Sequence, residues 1–212
     1  DGDVWVQSQR TTHYDAALAS LIERGLAYRC WCTRAEIAAS AGAPQGDEGP
    51  VYPGTCKGRT SPDDDRPHCW RLDVAKAMAL TGPLHWHDAV AGAVAARPDA
   101  QGDVVIARKD AATSYHLAVT VDDAAQGVTD VVRGRDLFAA THIHRLLQSL
   151  LGLPVPRYHH HALIIGQDGE RLAKRRQSPT IQSLRDAGVD PATLVRDMRR
   201  SVFPVGFALE QA

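Results

Sequence analysis

Two clusters in this 212-residue chain carry side chains that could do chemistry, and the first is made of cysteines. Cys30-Trp31-Cys32 sets two thiols one residue apart, Cys56 follows 24 residues later in Tyr-Pro-Gly-Thr-Cys, and Cys69 stands close behind. Four cysteines would allow three disulfide pairings. A chain of this length without a signal segment can build a core unstapled, so metal binding or free thiols is the better reading. Zinc favours thiolates in a closed tetrahedral site, and two short ligand pairs on separate segments are the usual way to build one. Cys30 with Cys32 forms one pair; Cys56 needs a neighbour. Tyr52, His68 and Cys69 are the candidates. Spacing alone favours His68 or Cys69, because a phenol with a pKa of about 10 needs the metal's own charge to ionise near neutrality.

The second cluster is basic. Gly169–Thr180 reads GERLAKRRQSPT, with four positive charges between Arg171 and Arg176, directly after the apolar run HALIIG and the turn QD. A lysine on a loop that follows a strand suits phosphate binding, since its compact ammonium can track developing charge. On composition alone a solvated charge run is the plainer reading. Arg133 follows an apolar strand-like run and precedes Gly134, a placement suited to bidentate pairing with a carboxylate ligand. A salt bridge with Asp122, Asp123 or Asp136 is the structural alternative. Adjacent residues of a strand point to opposite faces, so the run His159–His161 is a poor metal site, although one of the three could contact a nucleotide. Arg196, Arg199 and Arg200 line one helical face, open to a nucleic-acid backbone or to solvent.

The elements that must position these groups follow from periodicity and caps. Leu18, Leu21 and Ile22 mark a helix, with Thr12 as the expected N-cap and Gly25 as the stop. LAYRCWC reads as a strand, and Thr33–Glu36 (TRAE) matches a capping box for a short helix to about Ala41. From Ala43 to Pro67 the chain turns rich in Gly, Pro and Asp, a composition that buries little and needs a staple, which a metal would supply. CWRLDV, DVVIAR, VTDVVRG and HALIIG read as strands, and THIHRLLQSLLG as an amphipathic helix. Two short helices close the chain, the second with Asp190 as N-cap and Pro191 at its first position. The result is an α/β core with an insertion. The formal net charge of −1 excludes a globally basic surface. No apolar run reaches the roughly 18 residues a membrane span needs, and no signal segment opens the chain, so a cytoplasmic protein is expected.

YHLAVTVDDAAQGVTDVVRGRDL, then LLGLPVPRYHHHALI, then DGERLAKR resembles, in order and spacing, the second half of the catalytic domain of the class I glutamyl-tRNA synthetase family. Arg171–Arg175 (RLAKR) resembles that family's KMSKS signature. Cys-Trp-Cys with Tyr-Pro-Gly-Thr-Cys narrows the resemblance to the short glutamyl-Q tRNA(Asp) synthetase branch, which lacks an anticodon-binding domain. The resemblance implies an α/β fold, a Rossmann-like class I aminoacyl-tRNA synthetase catalytic domain with a zinc-bearing insertion and a short helical C-terminal part. It divides the chain into 1–29 as part of the Rossmann-like domain, 30–103 as the zinc-bearing insertion, 104–166 as the second half of that domain, and 167–212 as the KMSKS-like loop with C-terminal helices.

The same resemblance implies one structural zinc on Cys30, Cys32, Tyr52 and Cys56, which displaces His68 and Cys69 as ligands. It places glutamate on Tyr115 and Arg133. ATP, with Mg²⁺, falls on Lys174 as the catalytic contact, with Arg171, Leu172, Ala173, Arg175 and His160 beside it. The partners implied are L-glutamate, ATP and tRNA(Asp) carrying queuosine, acting on a monomer with no membrane. Two departures stand out. Ala173 replaces the signature's serine, and the family's HIGH-like motif is absent from these 212 residues. With the abrupt start at Asp1, this predicts a further segment upstream, without which the chain as printed catalyses nothing. An ordinary glutamyl-tRNA synthetase fragment is the alternative within the class, opposed by the mere 38 residues after Lys174. A non-catalytic zinc-stabilised RNA-binding module is the alternative outside it.

Overall fold

The computed structural model describes residues 4–39, 45–46, 49–59, 66–166, 168–172, 178, 180–204 and 207–210. The chain folds into two compact units, 1–132 with 137–159, and 133–136 with 160–212.

In chain order the first unit carries α1 (Thr11–Glu23), β1 (Ala27–Cys30), α2 (Arg34–Ala39), β2 (Gln45–Gly46), β3 (Gly49–Pro50), β4 (Cys69–Leu72), α3 (Val74–Thr81), β5 (His85–Asp88), β6 (Gly92–Ala95), β7 (Val105–Ala107) and α4 (Tyr115–Ala125). Then β8 (Asp130–Gly134) leads to α5 (Phe138–Leu151) and β9 (Arg157–His161). Two larger sheets form among these elements. One sheet has the order β1-β4-β7, all antiparallel, and another the order β6-β5-β9-β8, in which β5 runs parallel to β9.

The expected apolar face of α1 is present: Leu18 and Leu21 are buried against Leu26, Leu72, Ile106, Leu117, Ile143, Leu146 and Leu147. Its start differs from the expected Thr12 cap. Arg10 occupies the N-cap position without a side-chain cap, and Thr12 lies inside the helix. The reason is a buried carboxylate from another helix. Asp122 of α4 accepts from Gln7 Nε2 at 3.1 Å, Arg10 Nε at 2.9 Å and Tyr14 Oη at 2.7 Å, which fixes the chain entering α1. Burial and that carboxylate push the Tyr14 phenol up to about 12. The capping box of α2 is as expected, with Glu36 N donating to Thr33 Oγ1 at 3.2 Å and Thr33 N to Glu36 Oε2 at 2.6 Å. Helix α5 ends on Gly152 in the left-handed conformation, φ 65°, which an L side chain rarely adopts.

The register of β1 against β4 decides where the cysteines go. Tyr28 faces Arg71 and Cys30 faces Cys69, so these four residues share one face of the sheet. Ala27 and Leu72 take the other face and join the main core. A separate small core therefore forms from Cys30, Trp31, Tyr52, Cys56 and Cys69.

The second unit carries β10 (Ile164–Ile165), α6 (Ile181–Asp186), α7 (Pro191–Met198) and β11 (Ala208–Leu209), with β10 antiparallel to β11. Thr180 caps α6 with Ser183 in a capping box, and Asp190 caps α7 by accepting from Thr193 N at 2.9 Å. Among the described residues no helix is long and apolar enough to cross a membrane.

Candidate functional site

The Sγ atoms of Cys30, Cys32 and Cys56 all lie within 4.8 Å of one another. Cys32 Sγ is 3.6 Å from Cys56 Sγ and 3.8 Å from the Tyr52 hydroxyl. No cysteine is in a disulfide. Zinc–sulfur bonds of about 2.3 Å in a tetrahedron require edges of roughly 3.8 Å, so three thiols within 4.8 Å of one another are a donor set suited to a zinc ion. Gly54, at φ 82°, turns the chain so that Tyr52 and Cys56 meet four residues apart, with Cys56 N donating to the Tyr52 hydroxyl at 2.7 Å.

The competing candidates make other contacts, although Cys69 lies directly beside Cys30. Cys69 Sγ donates to the Cys30 carbonyl at 3.4 Å, and His68 bonds the Arg66 carbonyl through Nδ1 while its ring packs near Trp31 and Trp70. Sequence spacing missed Tyr52 because a tight turn, not a ligand-pair spacing, delivers it.

The metal-free donors differ in proton affinity. The hydrogen bond from Cys69 is the main cause that holds Cys30 down to about 4, with Tyr52 and Arg71 helping. Burial and the Cys56 thiol raise Cys32 to about 11, and burial likewise pushes Tyr52 above the ordinary phenol value. Both must lose a proton when a cation binds, whereas Cys30 has already lost its own above about pH 5. Zinc affinity should therefore climb with pH, by at least about two decades per pH unit near neutrality, as chelator competition at several pH values would read. A flat profile would exclude Cys32 and Tyr52 as ligands.

A cavity of about 940 Å³ opens beside this centre, lined by Cys32, Arg34, Arg71, Lys109, Tyr115 and His116. Tyr115 begins α4 directly after Ser114, whose side chain caps the helix by accepting from Leu117 N. The ring is 48% exposed and rests against His116 and His144, which share a 3.2 Å hydrogen bond. Nothing in the local sequence distinguished it; its place at a helix start on a cavity wall does.

In the second unit Arg133 Nε donates to His160 Nε2 at 3.1 Å. Alternation along β9 buries His160 and leaves His159 and His161 exposed, as strand geometry requires. His160 accepts through Nε2, so its proton resides on Nδ1. Gly134 leaves room beside it: an added Cβ would come within 2.5 Å of Asp136 Oδ1 and 2.8 Å of Leu163 Cδ2, so those side chains would have to shift. The basic loop leaves β10 through a tight turn in which Gly166 N bonds Glu170 O and Leu172 N bonds Ile164 O. Arg171 pairs with Asp136 at 2.6 Å. Ala173, Lys174 and Arg175 lie outside the described residues. Asp122, one salt-bridge alternative for Arg133, is held by Arg10.

The family model for tRNA synthetases class I (E and Q), catalytic domain, matches residues 1–210. The chain is 49% identical to the glutamyl-Q tRNA(Asp) synthetase of Rhodobacter capsulatus, over 92% of this chain and 75% of that protein. It is 44% identical to that of Nocardia farcinica, over 90% and 60%, and 42% identical to that of Leptothrix cholodnii, over 97% and 71%. It thus spans roughly 60 to 75% of the length of these relatives. The crystal structure of a glutamate tRNA ligase from Elizabethkingia meningosepticum, in complex with its amino acid, superposes with TM-score 0.60 at 22% identity, over 82% of this chain and 38% of that one. That likeness establishes the fold of a class I glutamyl-tRNA synthetase catalytic domain. By sequence along nearly its whole length, the chain belongs to the glutamyl-Q tRNA(Asp) synthetase family of the class I tRNA synthetases.

Proposed function

We propose that the protein activates L-glutamate with ATP and transfers the glutamyl group to the queuosine of tRNA(Asp). The observation that carries this is the 49% identity over 92% of the chain to a protein of that name. In the first step a glutamate carboxylate attacks the α-phosphate of ATP, glutamyl-adenylate forms and pyrophosphate leaves. In the second a hydroxyl of the acceptor nucleoside attacks the mixed-anhydride carbonyl, and AMP leaves. Arg133 pairs with a carboxylate of glutamate, and Tyr115 fixes the amino acid. Lys174 stabilises charge on the leaving phosphates, with Arg171, Leu172, Ala173, Arg175 and His160 as further contacts to ATP. Mg²⁺ would accompany ATP as part of the substrate and offset its phosphate charge.

Cys30, Cys32, Tyr52 and Cys56 would hold one zinc ion, whose part is structural because four protein ligands leave no open position. Segment 30–103 is then the zinc-bearing insertion between 1–29 and 104–166, with 167–212 supplying the loop and closing helices. The protein works as a cytoplasmic monomer.

The test is glutamate-dependent ATP–pyrophosphate exchange by the full-length protein in the absence of tRNA, followed by transfer of labelled glutamate to queuosine-containing tRNA(Asp). Exchange that requires tRNA, or transfer to the 3′ end of tRNA(Glu), would overturn the assignment. Tyr115 gives a sharper check. Because its ring is half exposed and outside the core, Tyr115→Ala should raise KM for glutamate about 10- to 100-fold with an unchanged melting temperature. An unaltered KM would remove Tyr115 from the site.

A further inference from the structure

Arg71 is a buried cation whose presence the main core does not explain. It lies on β4, 7% exposed, at a point where the register against β7 shifts between Trp70 and Arg71. Its guanidinium carbon sits 3.8 Å from the centroid of the Tyr52 ring. Nη1 donates to the Asp103 backbone carbonyl at 2.6 Å, and Nε is buried with no hydrogen-bond partner among the described residues. The Asp103 carboxylate is engaged by Tyr28 Oη at 2.7 Å, Lys57 Nζ at 3.2 Å and Val74 N at 2.9 Å. A cation removed from water needs a countercharge, or it destabilises the fold.

Arg71 also hydrogen-bonds the Cys30 side chain, and the cysteine centre supplies the countercharge in full once a metal is bound. Three thiolates and a phenolate around Zn²⁺ carry a net charge of −2. A second cation lies close by: Lys109 Nζ donates to the backbone carbonyls of Trp31 and Cys32 at 2.7 and 3.2 Å. Two cations beside a −2 centre bring the cluster to neutrality. A guanidinium stacked on an aromatic ring is also held more strongly as the ring gains electron density, as a phenol does on becoming a metal-bound phenolate.

We propose that Arg71 is a positioning residue for the metal centre: stacked on Tyr52, it provides the buried positive charge that allows a tyrosine to serve as the fourth ligand. The inference rests on the zinc reading above. It separates the charge of Arg71 from its bulk, and the test follows that division.

Zinc affinity of the full-length protein is measured by chelator competition at one pH and ionic strength for the wild type, Arg71→Met, Arg71→Lys, Tyr52→Phe and the double variant Tyr52→Phe/Arg71→Met. Arg71→Met should weaken zinc binding about 10- to 100-fold, and Arg71→Lys, which keeps the charge, by less. In the Tyr52→Phe background the same Arg71→Met change should cost clearly less, only what the hydrogen bond to Cys30 contributes, since the phenolate it serves is gone. The ultraviolet band of tyrosinate that appears on zinc binding should shrink in Arg71→Met. Equal losses in both backgrounds, or an undiminished tyrosinate band, would show Arg71 to be a packing residue and overturn the inference alone. If Arg71→Met does not fold, Arg71→Lys decides: zinc binding weakened as much as in Tyr52→Phe would refute the charge argument. A wild type that holds no zinc would instead overturn the zinc reading itself.

Discussion

The Arg133→Lys protein, in its full-length form, should lose glutamate-dependent ATP–pyrophosphate exchange by about 10²- to 10³-fold while its zinc content stays that of the wild type. The expected size follows from what lysine cannot do. A guanidinium offers two parallel N–H donors to a carboxylate, whereas an ammonium offers a point charge on a flexible stem. The structure adds a second reason. Arg133 is held through Nε by His160, which is only 5% exposed, so the planar head is oriented before any ligand arrives. A lysine has no Nε donor to lock against that ring. The loss should fall mainly on kcat/KM for glutamate, with KM for ATP nearly unmoved. His160→Gln offers the companion measurement, since an amide oxygen can take over the acceptor role. Exchange in that variant should stay within about 10-fold of the wild type, because orientation is retained. Arg133→Lys at near wild-type rates would show that glutamate is read elsewhere.

How much of this was legible in the sequence depends on the kind of signal. The strand alternation of Arg157–His161 buries His160 and exposes its neighbours, and period-two reasoning anticipated that separation. The pairing of Cys30 and Cys32 with Cys56 was also legible, because thiols are rare enough for their spacing to carry meaning. Tyr52 was legible only through the family resemblance, since spacing favoured His68 or Cys69 and it is a turn at Gly54 that folds a residue of unremarkable type onto the cysteines.

Helix α3 and strands β5 and β6 escaped for a different reason. In His85–Asp88 only Trp86 and Asp88 are buried, and Asp88 turns inward to accept from Val90 N and Ala91 N, so the buried face reads as half polar. The start of α1 escaped because its anchor, Asp122, lies more than a hundred residues away. Arg71 escaped altogether: a lone arginine in a strand acquires meaning only from the register that sets it opposite Tyr28 and against Tyr52.

The second large effect concerns the metal. In the Cys56→Ser protein zinc should fall below about a tenth of an ion per chain, and zinc affinity by three decades or more, as expected where ligand bonds supply much of the folding free energy. The damage should also be local. Residues 51–59 contain no helix or strand, and their main holds are the cysteine centre and Lys57, which bridges Asp73 at 2.7 Å and Asp103 at 3.2 Å. Those ion pairs are part exposed and worth little by themselves. Helices α1, α3, α4 and α5 pack around a different cluster, of Leu18, Leu21, Leu72, Ile143, Leu146 and Leu147 among others, which the cysteines do not enter.

Loss of the metal should therefore open the insertion while leaving that core closed. Far-ultraviolet circular dichroism should retain most of its helical signal, whereas limited proteolysis should cut within 51–59 at a much higher rate than in the zinc-loaded protein. A strong chelator added to the wild type should reproduce the same cleavage, and re-added zinc should suppress it in the wild type but not in Cys56→Ser. If the variant keeps one zinc per chain and resists cleavage, the metal is held without Cys56. If instead the whole helical signal collapses on chelation, the two cores are one cooperative unit, and the insertion is a part of the fold's foundation, not an attachment to it.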